Sequence, residues 1–247
     1  MTTPRDIAQT FTRQPGLELR STWQSTQAYK RHSHAQLSIG AIMEGETRCR
    51  CDGQEYHLSV GDLIVVPAHM PHSCNPVSGI PRSYHMLYID TDLPLAHQVV
   101  RSDALFGLYL TVIEQMSPTS LSALLSSLSL GTNAVPTLRS TSQQLQQAML
   151  ADPVCPPSLD QFAERFSLRK ETLIRTFRQD TGLTPSSFLN NARVEYAKAR
   201  LRAGDEIADV AYQTGFADQS HFHKTFVSYT ASTPRQYAQG RSIFDNK

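Results

Sequence analysis

Histidines are concentrated in the first part of the chain, and three of them have the spacing of a binding site. Seven of the nine histidines lie between His32 and His97. His32 and His34 are two residues apart, so on a strand both imidazoles point to one side, and we expect His72 on a neighbouring strand. Neutral imidazoles in this arrangement suit zinc, iron, nickel or copper, or hydrogen bonds to an organic effector. We favour the organic effector, with the predicted contacts His32, His34, Gln36 and His72.

The cysteines offer a second chemistry. Cys49 and Cys51 share one face of a predicted strand, and Cys74 shares a face with His72. The four cysteines include no CxxC motif and indicate reduced thiols in the cytoplasm. No cofactor is required on this interpretation. A divalent metal at His32, His34 and His72, or a thiol response, stays an alternative.

The second part of the chain contains an internal repeat. TLIRTFRQDTGLTPSSF, from Thr172, matches HFHKTFVSYTASTPRQY, from His221, at an offset of 49 residues. Each unit has a short helix, a tight turn and a second helix with an apolar stripe, which is the pattern of a helix–turn–helix. The polar faces of the second helices have side chains that suit base edges and phosphates. These are Arg169, Lys170, Glu171, Thr172, Arg175 and Arg178 in the first unit, and Gln219, Ser220, His221, His223 and Lys224 in the second.

A long helix is predicted between the two units. Residues 186–203 form a rod of roughly 27 Å that ends at Gly204. Such a rod places the two second helices about 34 Å apart, which is one turn of DNA. Basic side chains along it are candidate phosphate contacts: Arg193, Lys198, Arg200 and Arg202.

The elements before the repeat change from strands to helices. The first hundred residues alternate like strands, and Asp52-Gly53 predicts a two-residue hairpin, so we expect an antiparallel sandwich or barrel. Helical patterns follow at 96–116 and 119–130, then a linker from Gly131 to Pro136. From Leu138 to the end we predict only helices, at 139–151, 158–166, 169–181, 185–203, 206–213, 218–229 and 234–239. The predicted domains are 1–116, a linker at 117–136, and 137–247.

Composition narrows the class of protein. The chain has 247 residues, is 40% hydrophobic and has a net charge of +1, as expected of a globular protein. Residues 1–136 have 9 Lys/Arg against 11 Asp/Glu, and residues 137–247 have 14 against 11, so the halves suit different partners. No apolar run is long enough for a membrane helix or signal peptide. We therefore expect a cytoplasmic protein without a membrane partner.

From about Leu138 to Gln239 the sequence resembles the AraC-type family of bacterial transcription regulators, on the segments RVEYAKARL, IADVAYQTGFADQSHFHKTF and STPRQY. The resemblance implies two helix–turn–helix motifs that bind asymmetric sites in double-stranded promoter DNA. Ala231 stands where the family usually has glycine. Ile174 stands where a polar side chain is common, so a contact with a thymine methyl is the expectation there. The implied base contacts are Glu171, Ile174, Arg175, Gln219, Ser220, His223 and Lys224.

The first part resembles the cupin-like sensor domain of the same family, on His32-Ser33-His34, Gly61–Pro67 and Pro71-His72. The resemblance implies an α+β protein whose N-terminal antiparallel β-barrel, with flanking helices, binds a small effector, and whose C-terminal domain is all-α. It also implies a homodimer, with 96–116 as the dimerisation candidate, and an activator that contacts RNA polymerase.

One alternative is a cupin enzyme with a DNA-binding appendage. That chemistry needs a glutamate where Ser38 and Ile39 stand, so we predict a protein that is not an enzyme and has no catalytic residues.

Overall fold

The computed structural model describes residues 8–130 and 138–242, which form two compact units. The first consists chiefly of residues 8–28 and 33–130, and the second chiefly of 138–238. The linker predicted from Gly131 to Pro136 lies outside the described residues, as do residues 1–7 and 243–247.

The first unit is built on two sheets. A seven-stranded sheet has the order β10-β1-β2-β8-β3-β6-β9, and a three-stranded sheet has the order β5-β4-β7. Neighbouring strands are antiparallel except β1 and β10, which are parallel. The strands are β1 (Ala8–Gln14), β2 (Leu17–Ser25), β3 (Leu37–Glu44), β4 (Thr47–Cys51), β5 (Gln54–Leu58), β6 (Leu63–Val66), β7 (His72–Pro76), β8 (Arg82–Ile89), β9 (Gln98–Val100) and β10 (Arg241–Ser242).

Short-range turn chemistry sets the register of the smaller sheet. Asp52 and Gly53 both have positive φ, at 48° and 72°, as a two-residue type I′ hairpin requires. Strands β4 and β5 therefore pair from Cys51 and Gln54 outwards. The predicted hairpin is confirmed.

Two helices cover the core of the first unit. Helix α1 spans Asp103–Gln115 and α2 spans Pro118–Ser126. The buried Tyr109 of α1 donates a hydrogen bond from its hydroxyl to the carbonyl of Ile39, at 3.1 Å. Leu124 of α2 is fully buried in the same core. Helix α2 therefore belongs to the first unit, although the sequence placed it in a linker.

Two segments predicted to be helical are strands. Residues 98–100, inside the predicted helix 96–116, form β9, which extends the larger sheet by pairing with Leu63–Val65. Their two valines favour a strand, and an open strand edge was available to them. Near the C-terminus, β10 pairs with β1 where the sequence predicted only helix. Both errors come from long-range pairing that a local pattern does not contain.

The second unit is helical, and its helices agree with the predicted ones to within two residues. They are α3 (Ser140–Ala151), α4 (Leu159–Arg165), α5 (Lys170–Thr181), α6 (Pro185–Arg202), α7 (Ile207–Gln213), α8 (Gln219–Thr230) and α9 (Pro234–Ala238). One core joins α3, α4, α5 and α6 through buried side chains that include Leu145, Phe162, Leu173, Phe177 and Phe188.

Candidate functional site

The first helix–turn–helix consists of α4, a tight turn and α5. Ser158 and Gln161 form a reciprocal capping box at the start of α4. The turn contains Ser167 in a left-handed conformation with φ of 52°, and the N–H of Leu168 donates to the carbonyl of Ala163 at 2.9 Å. Leu173 and Phe177 of α5 are fully buried. This packing holds the opposite face of α5 towards solvent.

The second helix–turn–helix repeats this arrangement with α7 and α8. Gly215 has the left-handed conformation at φ of 77°, 48 residues after Ser167. A Cβ atom there would lie 2.8 Å from the carbonyl oxygen of Val154, so only glycine fits. Asp218 accepts a hydrogen bond from the N–H of His221 at 2.7 Å and is therefore the N-cap of α8.

Equivalent buried residues make equivalent contacts in the two units. The rings of Phe177 and Phe188 are 5.5 Å apart, and those of Phe226 and Tyr237 are 5.7 Å apart, both edge to face. The hydroxyl of Thr181 lies 2.8 Å from the carbonyl of Phe177, and that of Thr230 lies 2.7 Å from the carbonyl of Phe226. The repeat in the sequence is therefore a repeat in the packing.

The residues predicted to bind DNA lie on the solvent-facing sides of α5 and α8. Only two of them, Thr172 and Ile174, are half-buried. Lys170 forms an ion pair with Asp160 at 2.8 Å. The exposed residues of this set are Arg169, Lys170, Glu171, Arg175 and Arg178 on the first unit, and Gln219, Ser220, His221, His223 and Lys224 on the second.

The basic residues of the connector α6 mostly have partners within the protein. Arg193 donates to the carbonyls of Pro153 and Val154, at 2.7 and 3.1 Å, and burial lowers its pKa. Lys198 is buried and bonds to Glu195 at 2.9 Å. Arg200 bonds to Asp205 and Gln213. These three side chains have partners within the helical unit, whereas Arg202 is exposed, and phosphate contacts by these residues stay a prediction.

In the first unit, His34 and His72 are buried and adjacent. The two residues are only 5% and 4% exposed, and their ring centroids are 4.9 Å apart. The ring of Tyr88, on β8, lies 5.3 Å from that of His34, and the hydroxyl of Ser38 lies 3.4 Å from its Nε2. Tyr88 and Ser38 were not predicted, although both alternate with core residues on their strands.

His32 and Gln36 occupy irregular chain before β3, not the strand that the sequence predicted. The prediction that strand alternation places the side chains of His32, His34 and Gln36 on one face is therefore wrong, because this segment is not a strand. Nevertheless, one ligand atom each of His32, His34 and His72 lies within 4.8 Å of the others. Gln36 contributes its backbone carbonyl, which accepts from Nδ1 of His34 at 2.8 Å.

Three other histidines of the first unit, His57, His85 and His97, have contacts outside this group. His97 bonds to the carbonyl of Val65 at 2.7 Å, and His85 bonds to the hydroxyl of Ser21 at 2.7 Å. Burial lowers the pKa of His85. His57 is exposed and lies 3.1 Å from Glu46.

Two family models match the chain. An AraC-like ligand binding domain matches residues 14–134, and a helix-turn-helix domain matches residues 162–240. Among curated relatives, the uncharacterised HTH-type transcriptional regulator YbfI of Bacillus subtilis is 27% identical over 79% of this chain and 82% of its own length. The HTH-type transcriptional activator RhaS of Citrobacter koseri is 42% identical over 37% of this chain, and the match spans 32% of that relative.

Solved structures with the same fold include ToxT from Vibrio cholerae. That structure has a TM-score of 0.59 at 12% identity and covers 91% of this chain and 98% of its own. A ToxT structure with bound unsaturated fatty acid has a TM-score of 0.58 at 14% identity, over 91% of this chain and 95% of its own. Within the described residues, no helix is long and apolar enough to span a membrane.

Proposed function

The chain belongs to the AraC family of transcription regulators and has a ligand-binding domain, and from this we propose that it recognises a specific DNA site with both α5 and α8. The observation that carries the proposal is the duplicated packing. Phe177 and Phe226 fix the two helices by the same contacts, and each helix then presents a polar face of its own to solvent. Two such helices suit two successive major grooves.

Selection of bound sequences from a random DNA library tests this function. We expect the full-length chain to enrich a site with two short specified blocks about one helical turn apart, roughly 10 base pairs. The matched control replaces both Arg175 and Lys224, which are equivalent in the repeat, by alanine. Equal enrichment by the wild-type chain and this variant, or no enrichment by either, would contradict the proposal.

For the first unit we propose that a small organic effector contacts His34 and His72, with His32 and Gln36 contributing to the same site. The two buried imidazoles lie next to each other, and their ring nitrogens are groups that hydrogen-bond to organic ligands. Ser38 and Tyr88 lie beside His34 and extend the set of polar groups available.

A thermal-shift screen of small carboxylates, sugars and aromatic acids tests the effector site. A compound that stabilises the wild-type chain should lose its effect in His34→Ala and His72→Ala. His57→Ala is the control, since His57 is exposed and separate from these contacts. A compound that stabilises all three variants equally places the effector site elsewhere.

A divalent metal at this site is the second candidate, and one observation favours it. The Nδ1 atoms of His32, His34 and His72 each lie 2.8–2.9 Å from a backbone carbonyl, those of Lys30, Gln36 and Met70. A carbonyl only accepts, so each Nδ1 carries the proton and each Nε2 keeps its lone pair. Metal-binding histidines are oriented in this way, and three imidazoles suit zinc.

Metal analysis separates the two candidates. Under the metal hypothesis, dialysis of the full-length chain against Zn²⁺ leaves one ion per chain, and His34→Ala or His72→Ala reduces this amount severalfold. Chelation should then weaken effector response as the substitutions do. If metal-free protein keeps its effector response, that response does not depend on a bound metal.

The proposal also covers the class of protein, its location and its protein partners. We infer a regulator rather than an enzyme, acting in the cytoplasm as an activator that contacts RNA polymerase, because its relatives include a transcriptional activator.

Helix α1 is the proposed contact of a homodimer, and its Leu110 is half-exposed. Sedimentation of Leu110→Lys should give a monomer, whereas an unchanged dimer would place the interface elsewhere.

A further inference from the structure

We propose that Cys49 and Cys74 form a peroxide-reactive dithiol in the smaller sheet of the first unit, a modification site that the proposed functions do not use. Cys49 on β4 and Cys74 on β7 are direct Cα partners in an antiparallel pair. Direct partners have Cα atoms about 4.5 or 5.5 Å apart, within the range that a disulfide requires. The two Sγ atoms lie 2.6 Å apart, so the thiols already face each other.

A buried arginine fixes the two strands that hold the thiols. Arg82, only 2% exposed, donates from Nη2 to the backbone carbonyl of Cys74 at 2.6 Å and from Nη1 to the hydroxyl of Thr47 at 2.7 Å. Thr47 lies on β4 and Cys74 on β7, so Arg82 holds together the two strands that carry the paired thiols.

The exposure of the two residues assigns their roles. Cys74 is partly exposed, whereas Cys49 is fully buried. An oxidant in solvent reaches the less buried residue first, and a thiol in contact with it resolves the product. Cys74 is therefore the attacking residue and Cys49 the resolving one.

The reaction is balanced with hydrogen peroxide as the oxidant. The Cys74 thiolate attacks one peroxide oxygen, the O–O bond breaks, and the departing hydroxide takes up the proton that Cys74 lost and becomes water. The Cys49 thiol then attacks the sulfur of the Cys74 sulfenic acid, the S–O bond breaks, and a second water leaves as the S–S bond forms. Two thiols lose two electrons, and one peroxide becomes two waters.

The other two cysteines serve as internal controls. Cys155 is exposed, in the segment between α3 and α4, and no other cysteine lies near it in the sequence. Cys51 is buried, and its direct strand partner is His72. Neither has the paired geometry of Cys49 and Cys74. Cys155 therefore controls for exposure without a paired thiol, and Cys51 controls for burial without one.

Mass spectrometry of the full-length chain tests the proposal, with peroxide as the probe and differential alkylation of the thiols. We expect loss of two of the four free thiols, a peptide link between Cys49 and Cys74, and full reversal by a dithiol reductant. Cys155→Ser should leave this link unchanged. In Cys49→Ser, Cys74 should instead accumulate as a sulfenic acid that a dimedone-type reagent traps.

Several results would overturn the proposal: four alkylated thiols after peroxide treatment, a link that involves Cys51 or Cys155, or trapping at Cys74 no faster than at Cys155. These readouts need no DNA, so failure of DNA binding would count against the proposed function and not against this site.

Discussion

The two helix–turn–helix units share their buried residues and differ in their exposed ones. Phe177 and Phe226 occupy equivalent positions and pack in the same way, as do Thr181 and Thr230. The exposed face of α5, in contrast, has several charged side chains, whereas that of α8 is mostly neutral and polar. The shared residues therefore determine the fold, and the differing residues are the ones available to distinguish two DNA half-sites.

The ends of the recognition helices differ as well. Asp218 caps α8 through its side chain, whereas the equivalent Arg169 makes no side-chain cap on α5. At the C-terminal ends, Gly182 and Ala231 are equivalent and both left-handed, at φ of 73° and 48°. Helix α8 therefore has the better N-terminal cap and the more strained C-terminal end.

Removal of the equivalent aromatic side chains has the largest expected effect. Phe177→Ala and Phe226→Ala should each lower the free energy of unfolding of the second unit by about 3–5 kcal/mol, because both rings are fully buried. Denaturant titration followed by helical circular dichroism measures this. A loss below about 1 kcal/mol in one variant only would break the equivalence of the two units.

Replacement of Arg175 tests whether the units contact different bases. Arg175→Ala should weaken specific DNA binding by about 1–3 kcal/mol and relax preference at one base pair, if the guanidinium bonds to a guanine. Competition binding with single-base operator variants measures this, with Lys224→Ala as the equivalent change in the other unit. Uniform weakening on every sequence would make Arg175 a phosphate contact.

The N-cap difference predicts a smaller asymmetry. Asp218→Ala should reduce stability by about 1 kcal/mol, since it removes the acceptor for the N–H of His221. Arg169→Ala is the matched control and should change stability by less than about 0.5 kcal/mol. Thermal unfolding of both variants decides the point, and equal losses would remove the distinction between the two helix starts.

The C-terminal ends predict the smallest difference. Gly182→Ala should cost about 1 kcal/mol, because a Cβ is unfavourable in the left-handed conformation. Ala231→Gly should change stability by less than about 0.5 kcal/mol, since relief of the same strain is offset by loss of a buried methyl group and by added chain entropy. A gain of more than about 1 kcal/mol would mean that Ala231 packs poorly.

The sequence predicted those elements whose structure depends on residues close together in the chain. The helices of the second unit follow from periodicity, and the Asp52-Gly53 hairpin follows from its turn residues. Strands β9 and β10 were missed because their pairing partners are distant in sequence. Arg193 was assigned to DNA because its charge is visible in the sequence, whereas its carbonyl partners are not.

The histidine site was predicted in its residues but not in its geometry. His34 and His72 were singled out by type and spacing, and they are adjacent in the fold. The reason given, alternation along a strand, does not apply because the chain is irregular before β3. The backbone carbonyls that orient these imidazoles carry no sequence signal, so their role became visible only in the structure.

Hydroxyl-radical footprinting on a selected operator tests the central claim most directly. The full-length chain should protect two patches on one face of the duplex, about one helical turn apart. Arg175→Ala should weaken protection in one patch first, and Lys224→Ala in the other. A single protected patch, or loss of the same patch in both variants, would contradict the account in which two equivalent helices contact two different grooves.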